Sequence, residues 1–209
     1  YALPGQTPER LAETIRTVAA LSPEHISFYG LKIEENTPFA YNKTISESLP
    51  DEEIQYKMYM DTAKTLEAHG YRQYEISNFA KDGFACRHNI KYWKCNDYLG
   101  FGTAAASFFE GRLFSQVKNI DYFIEDPLSV FLIDSTEEIT PKKFETQYVM
   151  LGFRLSEGIS LGEYRLRCGG DFISKYGERL KPFIEKKLVI KTTDGFRLSR
   201  RGMLVSNYI

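Results

Sequence analysis

The stretch CRHNIKYW, residues Cys86 to Trp93, gathers a thiol, a guanidinium, an imidazole, an amide, a phenol and the sole tryptophan of the chain into eight positions. Such a stretch is either the polar end of a structural element or the lip of a site. Cys86 and His88, with Cys95 beyond them, offer three metal ligands, but a fourth ligand is missing and Cys95 reads equally well as a buried thiol. On the structural side, Tyr92 and Trp93 are candidate core aromatics and His88 a candidate for a structural hydrogen bond. A second stretch, LGFGTAAASFF from Leu99 to Phe109, is rich in small residues. It lets backbone come close to a ligand or to a neighbouring element, and close packing is the commoner reason. Neither standard phosphate-binding glycine loop occurs, nor HExxH, nor cysteine pairs at zinc spacing.

The elements that must position these residues follow from pattern. In 209 residues with 43% hydrophobic and 14% aromatic content, an ordered core is expected in one large or two smaller domains. No run approaches a membrane span and no signal-peptide layout opens the chain. Three irregularly spaced cysteines argue against a disulfide framework and for a reducing compartment, read as cytoplasmic. The chain opens on YALP without methionine, as if on the end of a strand, so a piece of a longer protein is expected. Thr7 and Pro8 start a helix that runs to about Leu21 through Leu11, Ile15 and Val18. His25 to Ile33 reads as a strand, Asp51 to Gly70 as a second helix, and Tyr71 to Ile76 as a strand. Strands alternating with helices predict a parallel sheet covered by helices, an α/β arrangement.

The rhythm changes near Thr140. From Pro141 to Ile209 there are 14 Lys and Arg against 7 Asp and Glu, a charge of +7, while the remainder carries −8. This supports a boundary between domains 1–139 and 140–209. The second domain reads as three helices, starting at Pro141, after Ser160 and around Phe172 to Phe183. A hairpin at Asp194-Gly195 and a last helix near Arg201 to Tyr208 follow. Three helices and a hairpin describe a winged-helix module. The basic charge is compatible with DNA, but no Lys/Arg cluster marks a recognition helix, so nucleic acid is not expected as a partner.

Taken together, LPGQT (Leu3 to Thr7), EHISFYGLKIEENTPF (Glu24 to Phe39), LPDEE (Leu49 to Glu53), YEISNFA (Tyr74 to Ala80), CRHNIKYW, DYLGFGTAAASFF (Asp97 to Phe109) and GFRLSRRGMLVSN (Gly195 to Asn207) resemble the HemW family. Its members are radical S-adenosylmethionine (SAM) relatives of oxygen-independent coproporphyrinogen III oxidase. The resemblance implies the second part of a partial (β/α) radical SAM barrel followed by a small C-terminal winged-helix-like α+β domain. It also implies a [4Fe-4S] cluster, SAM and heme in the parent protein. The family's CxxxCxC cluster motif is absent from this sequence, so the chain by itself is expected to hold no cofactor and to cleave no SAM.

The family's HNxxYW motif, associated with heme, is similar to His88-Asn89-Ile90-Lys91-Tyr92-Trp93. It implies His88 as a ligand to heme iron, Cys86 as an alternative or second ligand, and Tyr92 and Trp93 as faces for the porphyrin. Arg87 or Lys91 could pair a propionate. By position in the barrel, Lys32 and Ala106 are expected to line the SAM pocket. Catalytic acids or bases are not identified. Two functions stand: a heme chaperone binding heme or porphyrin and passing it to acceptor proteins, or an enzyme oxidatively decarboxylating coproporphyrinogen III. Peripheral membrane contact stays open.

Overall fold

The computed structural model describes residues 1–209. The chain divides into two compact units, residues 1–86 with 198–209, and residues 87–197.

In the first unit, helix α1 (Pro8–Ala20) is started by Thr7, whose side chain accepts from the Arg10 amide, with Pro8 in the first turn where its missing N–H costs nothing. Leu11, Ile15 and Ala19 form its buried face. After strand β1 (His25–Ser27) and a short helix α2 (Lys43–Glu47), helix α3 (Glu52–Ala68) begins at Asp51, which caps the Ile54 amide at 2.8 Å. Its Met58, Tyr59, Ala63 and Leu66 join Leu11 and Ile15 in one core with Ile26, Phe28, Tyr71 and Phe79. Strands β2 (Arg72–Glu75) and β3 (Asn78–Ala80) complete a sheet of order β1-β3-β2.

Both pairings in this sheet are antiparallel, which corrects the expected parallel arrangement. The tight turn at Ile76-Ser77, where Glu75 accepts from the Ser77 amide, sends β3 back between two strands that run the same way. The parallel pattern survives at Tyr1: its amino group donates to Tyr29 O at 2.7 Å and its carbonyl accepts from Leu31 N at 2.8 Å. Regular pairing of the expected strand 25–33 stops early; by Asn36 the backbone has turned left-handed. These three strands do not close a barrel. Residues 198–209 add a last helix, Arg200–Leu204, whose Met203 is buried beside Tyr59.

The second unit opens with helix α4 (Arg87–Trp93). A three-stranded antiparallel meander follows, β4 (Ala106–Phe109), β5 (Arg112–Gln116) and β6 (Ile133–Glu138), with a short helix α5 (Ile120–Glu125) before β6. Glu110 and Gly111, both at positive φ, make the β4–β5 turn. The expected three helices are α6 (Pro141–Gly152), α7 (Leu161–Cys168) and α8 (Phe172–Glu185), started by Thr140, Ser160 and Asp171 in turn. The small strand β7 (Ile159–Ser160) and the expected hairpin β8 (Val189–Lys191) and β9 (Gly195–Leu198) form a second sheet of order β7-β9-β8. Ring contacts run through this unit from Tyr98 by way of Phe108, Phe144, Tyr148, Tyr164 and Phe172 to Phe196. The charge change at Thr140 falls inside it, at the cap of α6.

Candidate functional site

Seven of the eight residues of CRHNIKYW form α4 itself. Positions four apart on a helix share a face, and His88 and Tyr92 meet edge to face, with ring centres 4.8 Å apart. Tyr92 in turn meets Tyr98 at 4.4 Å. His88 is exposed, so its imidazole is supported by a ring and open to solvent.

Trp93 stands one residue further, about 100° round the helix. Its ring lies beneath the Arg154 guanidinium, 4.5 Å from centre to carbon. The structure thus brings His88 and Tyr92 together and turns Trp93 elsewhere.

The helix ends in a Schellman motif, with Cys95 N donating to Tyr92 O and Asn96 N to Lys91 O, both at 3.0 Å. Cys95 sits in the left-handed region at φ 49, where glycine is usual. Its thiol is pushed up to about 11 by burial, with nearby Arg167 pulling the other way, so it is a poor source of thiolate. Arg167 donates to Cys95 O at 2.7 Å and to Asn96 Oδ1 at 3.0 Å. Lys94 pairs with Glu157 at 2.7 Å. A cavity of about 410 Å³ opens beside these contacts, bordered by Trp93, Lys94, Glu157 and Arg167 and floored by Tyr148 and Leu155.

Cys86 is a free, half-buried thiol at the end of the first unit. Lys32, in the first unit, is 80% exposed and paired with Glu34 at 3.0 Å. Ala106, in the second unit, opens β4, and a Cβ on Gly100 would lie 2.4 Å from its carbonyl oxygen. The Gly100 amide also donates to Ser107 Oγ at 3.0 Å, so the small residues here serve close backbone packing. No group of three His, Cys, Asp or Glu side chains converges as a metal site would require. The sequence reading missed Arg154, Arg167 and Tyr98, because nothing in local spacing ties an arginine in the turn after α6 to a tryptophan on α4.

Residues 139–205 match the model of the HemN C-terminal domain. The fold of the whole chain matches about half of a solved structure, coproporphyrinogen III oxidase (HemN) from Escherichia coli, a radical SAM enzyme, with a TM-score of 0.75 at 20% identity, covering 99% of this chain and 51% of that one. By sequence it is similar to proteins named heme chaperone HemW. It is 32% identical over 212 residues to heme chaperone HemW of Bacillus subtilis (strain 168), covering 100% of this chain and 56% of that protein. It is 36% identical over 219 residues to heme chaperone HemW of Escherichia coli (strain K12), covering 99% and 54%. The chain therefore spans about half the length of the curated relatives it matches.

Proposed function

We propose that the longer protein carrying this chain binds heme and hands it to acceptor proteins, with His88 as a ligand to the iron. The observation that carries the reading is the end-to-end similarity to heme chaperones, with an exposed histidine on α4 where the family's heme motif falls. A neutral imidazole is a sound donor for heme iron, and the Tyr92 ring at its edge would hold its orientation. Heme here is cargo. The oxidase reading draws on the HemN structure, whose 20% identity speaks for the fold alone, whereas the relatives that share the sequence carry the chaperone name.

The HemN fold implies an iron–sulfur cluster and SAM in the longer protein. Cys86, Cys95 and Cys168 do not fit the cluster: they lack its spacing, do not converge, and Cys95 is buried and protonated. Its ligands would come from outside these residues. No helix is long and apolar enough to cross a membrane. We place the protein in the cytoplasm because of its free cysteines.

Heme titrated into the longer protein tests the reading. His88→Ala should weaken binding by more than about tenfold and shift the Soret band, since axial-ligand identity sets the iron's electronic state. Cys86→Ala is the control. If the cysteine variant moves the band and His88→Ala does not, the ligand is the thiolate; if neither moves it, the heme reading of this helix is wrong.

A further inference from the structure

We propose that Arg154 and Arg167 are positioning residues that lock the His88-bearing helix in place for heme, so that the HemN C-terminal domain acts as its mount. The proposal rests on the reading of His88 as the heme ligand.

Cys95 shows where the lock bears. A non-glycine residue in the left-handed region is disfavoured and persists where its surroundings over-determine it. Arg167 supplies that constraint, because its guanidinium grips the carbonyl of Cys95 and the amide oxygen of Asn96, the two residues that close α4. The same guanidinium lies over the rings of Phe144 at 5.3 Å and Tyr148 at 5.7 Å, both on α6. Its planar fork is therefore held at both ends, a geometry an ammonium cannot reproduce.

Arg154 acts one residue pair earlier, stacked on Trp93. Lys94–Glu157 adds a third tie, a weak one because both side chains are largely exposed. Four consecutive residues, 93 to 96, are thus engaged by three side chains of the 154–167 stretch. These ties bear on residues 93 to 96 and leave the His88–Tyr92 ring pair to itself. An axial ligand needs a fixed ring, and groups that orient a ligand typically contribute about tenfold or more to its affinity. On this account Trp93 serves heme by anchoring the helix.

The test compares the longer protein with its Arg167→Ala, Arg167→Lys, Arg154→Met and His88→Ala variants by two measurements. The first needs no heme: amide exchange of residues 90 to 96 should rise in the Arg167→Ala and Arg154→Met variants, while exchange in α8 stays as it was. The second is heme titration, in which both arginine variants should bind about tenfold more weakly, with a Soret band displaced toward that of His88→Ala. Arg167→Lys should not rescue. Unchanged exchange overturns the lock, whatever heme does. Raised exchange with unchanged affinity and spectrum shows that the arginines serve packing alone and overturns the positioning role. A His88→Ala variant indistinguishable from the parent overturns the functional reading and the positioning role with it, while exchange still decides whether the lock exists.

Discussion

Glu145 lies on α6 in the sequence KKFETQ, where it looks like an ordinary surface carboxylate, yet it is 8% exposed. Lys175 and the Tyr164 and Tyr176 hydroxyls all donate to it, Tyr176 at 3.1 Å. Burial would raise its pKa, but the three donors together outweigh burial and hold it below the usual carboxylate range. Burial and the same carboxylate push the Tyr176 phenol up to about 12. A depressed folded-state value means that this carboxylate stabilises the fold above the unfolded value of about 4.3 and ceases to do so as pH falls through the folded one. Glu145→Gln should therefore cost about 2 kcal/mol at neutral pH, the penalty for leaving buried partners poorly satisfied. In urea unfolding at a series of pH values, the gap to the parent should close below the carboxylate range; a gap that stays constant with pH would contradict the assignment. His88 and Trp93 could be singled out from the sequence because their residue types are rare and clustered. Glu145, Arg154 and Arg167 could not, because their roles are set by partners far along the chain.

Helix starts were the most legible elements. Thr7, Asp51 and Ser160 each carry a side-chain oxygen that meets an orphan amide at the start of the next turn, and that chemistry is local. The meander was not legible. Strand β6, IDSTEE, is exposed at every position and so carries no hydrophobic alternation from which a strand could be read. Asp194-Gly195 was read correctly as a hairpin, although Gly195 is there for another reason. It is the first residue of β9, paired with Ser160, and its backbone is not left-handed. A Cβ at this position would lie 1.8 Å from Ile159 O. Gly195→Ala should force β7 and β9 apart and cost more than about 2 kcal/mol, read as a lowered unfolding midpoint. Gly111→Ala is the contrast. At φ 75 with no atom within 4 Å of the added methyl, it should cost only the left-handed penalty of about 1 kcal/mol. Equal losses from the two would show that crowding at β7 is not what selects glycine.

At the scale of the whole chain, the similarity to proteins named HemW could be read from motifs, but the path of the chain could not. Pattern reads neighbours in sequence, whereas the first unit is assembled from two separated segments, 1–86 and 198–209. The return segment is well attached. Met203 Sδ lies 3.9 Å from the Tyr59 hydroxyl across a sequence separation of 144, and Arg200 pairs with Glu67 and approaches Gln73 Oε1 at 3.3 Å. Removing residues 199–209 should expose the flank of α3 at Tyr59 and speed amide exchange in that helix, while α8 in the second unit keeps its protection. Unchanged exchange in α3 would mean the return segment is only loosely attached. The same path has a consequence during synthesis. At about 5–20 residues per second, the stretch from 87 to 197 takes on the order of ten seconds to emerge from the ribosome. Throughout that interval the Tyr59 face of α3 waits for Met203, although closing so long a loop adds little entropy cost once the residues exist. Of the two units, the one whose first segment emerges earlier is thus completed later, and its vulnerability to chaperone capture or proteolysis is set by translation speed.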